Sequence, residues 1–426
     1  MAPHPLYTSQ STTGATRGNV EAGYYGMISA ILCFGMGLAV FLPIASEARL
    51  TLFDAIAVGL LIRFWISVDS ILRGAVIILG VSLSAMMLSA YLNQSGMMAF
   101  VGRAYSPILL MLEIIGYTAI IRNTSHAGRI SLVIGVMIGM CCHFFYPNDE
   151  RILTDPIKFL VGIPLGIGFV ALYALWSRDR TTSVFLVILL MIGYAIMCFL
   201  AGSRSVGGVY FVSALLLPII GKIRVPASYT RFAPLMLALA GLLGYGFTEL
   251  YSMLAIKGFF GARAAAIAAF QSSFGSILLG GRPEIIINIS GIKDSPIFGV
   301  GIGNYPSIYL YEMANLAVYS ADDVFDIQNI LYHSSLFATA FESGVIAALF
   351  WAFLLYRAVF VIPLLSLLPA GLRSFVLPLT VISVWNILYS PPIPYNRFIM
   401  AIGLAFVFHV FTEWKDARES ERVTAM

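Results

Sequence analysis

The sequence predicts an all-α, polytopic helical membrane protein with about twelve transmembrane helices and one long, partly helical loop on the outer side. Three observations carry this. Hydrophobic residues make up 59% of the 426 residues and charged residues only 11%, where soluble domains carry about a quarter charged. Mean hydropathy is +0.90. The apolar residues run continuously rather than alternating, which favours helices over a barrel. Length alone would suggest two or three soluble domains, but so few charges cannot cover a soluble surface of that size. A cytosolic enzyme, a disordered tail protein and a collagen-like fibre are thereby excluded.

Residues 1–23 are polar and lack the apolar core of a cleavable signal peptide, so they read as a cytoplasmic N-terminal tail. Apolar segments of spanning length follow at 24–46, 50–67, 71–92, 104–121, 130–147, 157–177, 182–201, 206–221 and 233–256, a membrane domain of about nine spans. The second is the least apolar, because it holds Asp54 and Arg63. Three more, at 335–361, 372–390 and 396–412, form a second membrane portion over 335–412, before a cytoplasmic C-terminal tail at 413–426. With the N-terminus inside, 14 Lys and Arg fall on inner segments and 6 on outer loops, Arg397 among the latter. Both termini are then cytoplasmic. The net charge of +4 follows this bias and does not point to nucleic acid. Cys33, Cys141, Cys142 and Cys198 lie in apolar runs without metal-ligand spacing and read as small buried hydrophobes.

The 257–334 connection is far longer than the others and faces outward by parity. A long structured loop of this kind is usually functional. Its stretch GFFGARAAAIAAFQSSF is amphipathic enough to lie along the interface. Arg282 follows two glycines and precedes Pro283, which suits a helix start. The glycines of DSPIFGVGIGNYPS are spaced G-x-G-x-G, not as a dinucleotide fingerprint, and read as a tight irregular turn buried against the membrane domain. Asp322, Asp323 and Asp326 read as a solvated loop face, with a divalent cation as the alternative.

Two further outer residues stand out. Arg204, in AGSRSVGG, is either a snorkelling anchor or a cation for an anionic headgroup. His333 lies where the outer loop enters the membrane. It is either a helix-start residue or a general base, a task that suits the ordinary histidine pKa of about 6.5. No zincin motif, zinc-like Cys/His set, P-loop or nucleophile elbow occurs. Charges inside the spans, Asp54, Arg63, Glu113 and Glu249, would suit a translocation path, although no two-fold repeat accompanies them.

AGSRS at a span end, GGRPEIIINISGIKDSPIFGVGIGNY in the outer loop and HSSLFATAFESGVIAAL leading into the next span share one order and one side. Together, over about residues 195 to 360, they resemble the O-antigen ligase and polysaccharide (Wzy-type) polymerase superfamily of bacterial membrane glycosyltransferases. The resemblance implies a bacterial inner-membrane enzyme with a periplasmic long loop and an undecaprenyl-diphosphate-linked glycan as donor. It implies a glycan or lipid A core acceptor, other polysaccharide-assembly membrane proteins as possible partners, and neither metal nor cofactor. It maps the family's span-end arginine onto Arg204, its loop arginine onto Arg282, its histidine onto His333 and its E-x-G glycine onto Gly344. Where many members have His-Asn, this chain has His333-Ser334. RILTDPIKFLVGIPLG, with Arg151 as a further diphosphate-binding candidate, resembles the ligase side. The implied chemistry is metal-independent, inverting transfer with His333, Arg282 and Arg204 as catalytic residues.

Overall fold

The computed structural model describes residues 16–45, 50–64, 70–145, 155–177, 183–223, 242, 245–246, 249–272, 282–303, 305–315, 333–391 and 394–424. It is all-helical apart from a small antiparallel pairing of Pro43–Ala45 with Leu50–Thr51. Six described helices are long and apolar enough to cross a membrane: Ser70–Leu92, Met97–Asn123, His126–Phe145, Leu349–Leu367, Ala370–Tyr389 and Tyr395–Ser420. Shorter apolar helices occupy Gly26–Phe41, Gly162–Trp176, Val184–Leu200 and Arg204–Ile220. This is consistent with a membrane protein, whereas the predicted count of twelve spans is not reached among the described residues. The second predicted span is the 13-residue helix Leu52–Phe64, and most of the ninth lies outside the described residues.

In chain order the helices are α1 (Thr16–Leu38), α2 (Leu52–Phe64), α3 (Ser70–Leu92), α4 (Met97–Asn123), α5 (His126–Cys142), α6 (Gly162–Trp176), α7 (Val184–Leu200) and α8 (Arg204–Ile220). Then come α9 (Ala262–Ser272), α10 (Pro283–Asp294), α11 (Ser307–Asn315), α12 (Ser335–Ser343), α13 (Leu349–Val361), α14 (Ala370–Tyr389) and α15 (Pro394–Thr424).

Small residues set the closest packing, as expected where lipid supplies no hydrophobic drive between helices. α1 and α5 run side by side, and a Cβ on Gly37 would meet the Leu132 carbonyl oxygen at 2.4 Å. One on Gly135 would meet that of Phe34 at 2.2 Å. Two tyrosines tie α7 and α8 to α6: the Tyr194 hydroxyl donates to Gly162 O (2.6 Å) and the Tyr210 hydroxyl to Ile163 O (2.5 Å). α15 is the hub of the core, lying against α4, α13 and α14 with Phe398 through Phe408 almost wholly buried.

The helix predicted over 335–361 is broken. α12 ends at Ser343, Gly344 adopts φ 86° and ψ 169°, and the spanning helix begins at Leu349. α12 instead joins α10 and α11 around Phe341, which packs with Ile287, Tyr305 and Tyr309 in a small separate core. The polar run Glu342-Ser343-Gly344 interrupts the apolar segment at the break, and the Ile297 carbonyl would stand 1.9 Å from a Cβ on Gly344, so only glycine fits there.

Candidate functional site

Glycines hold the segment after α10 in place. Gly299, Gly301 and Gly303 all have positive φ (66°, 106° and 68°), a region glycine enters without steric cost. The Gly299–Gly301 strip lies along the end of α12: Val300 N donates to Phe341 O (2.9 Å) and Gly301 N to Glu342 O (3.0 Å). The end of α3 completes the dock. Ser89 Oγ donates to Phe298 O, Asn93 Nδ2 to the same oxygen (3.3 Å), and Ile302 N to Ser95 Oγ (2.9 Å). The buried irregular turn read from the sequence is the arrangement found.

Glu342, at 2% exposure, anchors a network the sequence reading missed. Arg103 Nε donates to Glu342 Oε2 (3.0 Å) and Arg103 Nη2 to Oε1 (2.9 Å), a two-pronged contact. The Tyr305 hydroxyl also donates to Oε1, and Arg103 Nη2 reaches that hydroxyl at 3.2 Å. Burial, with the Glu342 carboxylate beside it, pushes the Tyr305 phenol well above its ordinary range. A lone glutamate in AFESGV and an arginine at a helix start give no pairing signal, because 239 residues separate them. Glu342→Ala is expected to cost about 3 kcal/mol, the lower end for breaking a buried pair, because Arg103 keeps 25% exposure. Thermal unfolding in detergent would show it, and an unchanged midpoint would reduce the network to surface decoration.

The predicted site residues fall in two places. Arg282 caps the start of α10, with Pro283 as the first helical residue. Its Nη1 lies 3.5 Å from Glu284 Oε1, its side chain keeps 27% exposure, and it acts electrostatically on Tyr389 at the end of α14. Burial raises the Glu284 carboxyl above its ordinary range, and the Arg282 guanidinium partly offsets that. His333, half-buried, immediately precedes the α12 cap, where Ser334 Oγ accepts from Phe337 N (3.0 Å). Ser335 N and Oγ both donate to Ser390 O at 3.1 Å. The start of α12, which follows His333, is therefore bonded to the C-terminal end of α14, and that same end lies within electrostatic range of Arg282.

Arg204 is held by other elements. It opens α8 after Gly202 (φ 80°), donates from Nη1 to Gln271 Oε1 (2.7 Å), and hydrogen-bonds Tyr251. α9 brings Gln271 there: Ser272 Oγ lies 2.9 Å from Ser252 Oγ, and Phe260, just before the helix, stacks on Tyr251 at 5.2 Å. Arg151 and the acidic run Asp322, Asp323 and Asp326 lie outside the described residues. No cluster of three metal-ligating side chains occurs among the described residues. An apolar cleft lined by Met137, Cys141, Phe144, Leu165 and Phe169 contains none of the site residues.

Arg397 requires a correction. Predicted on an outer loop, it is 1% exposed inside the membrane domain, where its Nε donates to Glu113 Oε1 at 2.7 Å. The apolar run around it hides a counter-ion that arrives from α4, 284 residues away.

No family model, no curated protein and no solved structure matches this chain.

Proposed function

We propose that the protein is a bacterial inner-membrane glycosyltransferase that moves a glycan from an undecaprenyl-diphosphate carrier to a sugar acceptor on the periplasmic side, in the manner of an O-antigen ligase. The observation that carries this reading is that the end of α14 is shared: Ser335, two residues after His333, bonds to Ser390 O, and Tyr389 lies within electrostatic range of Arg282. A cation for the leaving diphosphate and a base for the acceptor hydroxyl are what this displacement requires.

In the proposed step an acceptor hydroxyl oxygen attacks the anomeric carbon as the bond from that carbon to the diphosphate oxygen breaks. The bonding pair leaves with the diphosphate, and the hydroxyl proton passes to His333. A single displacement inverts the anomeric centre. Arg282 stabilises the charge that grows on the diphosphate through planar, paired N–H donors. Arg204, at the start of α8, is assigned to the same lipid headgroup, and Arg151 joins it on the strength of the sequence resemblance alone. No step calls for a metal or a cofactor. The acceptor is a glycan, with a lipid A core sugar as the ligase form, and other membrane proteins of polysaccharide assembly are the proposed partners.

Deleting the gene in its host and sizing the lipid-linked glycans by mass spectrometry tests this. Long glycans stranded on the carrier, with bare core on the surface lipid, are the expected result. Single repeats on the carrier would make the enzyme a polymerase of the same superfamily. An unchanged carrier pool would overturn both and favour transport.

A further inference from the structure

We propose that Glu113 is held as a neutral carboxylic acid whose proton is shared with Asp54, so that the membrane domain contains a built proton-binding site. Three elements assemble it. α2 supplies Asp54, α4 supplies Glu113, Tyr105 and Tyr117, and α15 supplies Arg397. Exposure is 3% at Asp54, 0% at Glu113 and 1% at Arg397.

Charge counting states the problem. Two ionised carboxylates and one guanidinium leave one net negative charge without solvent, which a protein interior or a bilayer holds only at large cost. The bonding pattern says where the missing positive charge sits. Asp54 Oδ2 is saturated: it accepts from Thr51 N (2.7 Å) and Thr51 Oγ1 (3.0 Å), with Arg397 Nη2 at 3.5 Å. Glu113 Oε1 accepts from Arg397 Nε at 2.7 Å. The other oxygen of each, Asp54 Oδ1 and Glu113 Oε2, is buried with no donor. Yet the two carboxyls lie within hydrogen-bonding reach of each other.

Two acceptors in contact repel, and one proton between them turns the repulsion into a hydrogen bond. It also brings the cluster to neutrality. Tyr105 is bonded to Arg397. Tyr117 stacks on Phe53 with ring centroids 4.0 Å apart, and its buried hydroxyl is unpartnered and feels both carboxyls. Asp54 and Glu113, two of the charges that would otherwise suggest a translocation path, are thereby neutralised in place.

Infrared difference spectra of the purified full chain in detergent, wild type against E113Q, test the assignment. At neutral pH the wild type is expected to show the carbonyl stretch of a protonated carboxylic acid. The band shifts in D2O and is absent from E113Q. E113Q is expected to unfold within a few degrees of wild type, because its amide still accepts from Arg397 and donates to Asp54. The double variant D54N/E113Q leaves Arg397 without an anion and is expected not to accumulate. Absence of the wild-type band, or normal accumulation of the double variant, would overturn the proposal. So would a melting temperature that rises with Na+ at constant ionic strength in wild type but not in E113Q, since a bound cation would then supply the charge.

Discussion

His333→Ala is expected to lower glycan transfer by about 10²–10⁴-fold, the usual worth of a general base, while the protein still inserts and accumulates. The two halves of this expectation rest on different atoms. The start of α12 is secured by Ser334 Oγ on Phe337 N and by Ser335 on Ser390 O, none of which His333 supplies. Removing the imidazole therefore leaves the cap and the α12–α14 contact in place. What it removes is the proposed base. Purified variant and wild type, assayed with lipid-linked donor and matched for unfolding midpoint, separate lost chemistry from lost fold. Transfer at near wild-type rate would take the base role from His333.

Gly344→Ala is expected to be the most damaging single methyl in the α10–α12 region, costing about 4 kcal/mol or more, the range reserved for severe backbone conflicts. Its φ of 86° with ψ of 169° is territory that only glycine occupies at little cost. The added Cβ would stand 1.9 Å from Ile297 O and 2.3 Å from Ile297 C. Both are backbone atoms, so no rotamer change relieves the clash. The segment that must move carries Phe298 and Gly299, and with them the bonds from Ser89 and Asn93. Gly303→Ala is the control. Gly303 shares a positive φ of 68° but has nothing within 4 Å of the added atom, so about 1–2 kcal/mol of strain is all it should lose. Melting of the two variants in detergent, compared side by side, checks the ordering. Equal losses would mean that backbone conformation alone, and not the docking of the loop, sets the cost.

The candidate site was legible in unequal parts. Arg282 and His333 stand out because a Gly-Gly-Arg-Pro helix start and a histidine at a membrane entry are local signals, and both are found at element starts. Arg204 is likewise visible as a helix opener after glycine and serine. That α10 and α12 share one small core, and that Arg204 is instead held by Gln271 and Tyr251, depends on which surfaces α9, α10 and α12 bury. Arg397 shows the opposite failure. An arginine beside Pro394 and Tyr395 reads as a loop cation until α4 places Glu113 against it.

What the sequence pointed to by itself was an apolar solvent. The 59% hydrophobic and 11% charged residues favour a bilayer over water, and continuous apolar runs favour helices, the form that satisfies its own backbone in lipid. The glycine turn also followed from local chemistry, since positive φ belongs to glycine. Only the tertiary structure decided that the helix after the loop breaks at Gly344, that Glu342 grips Arg103, and that Asp54, Glu113 and Arg397 form one buried cluster. The reason is physical. Hydrophobicity and backbone preference act within a few residues, whereas a buried charge is stabilised by whichever partner the fold delivers, at whatever distance along the chain.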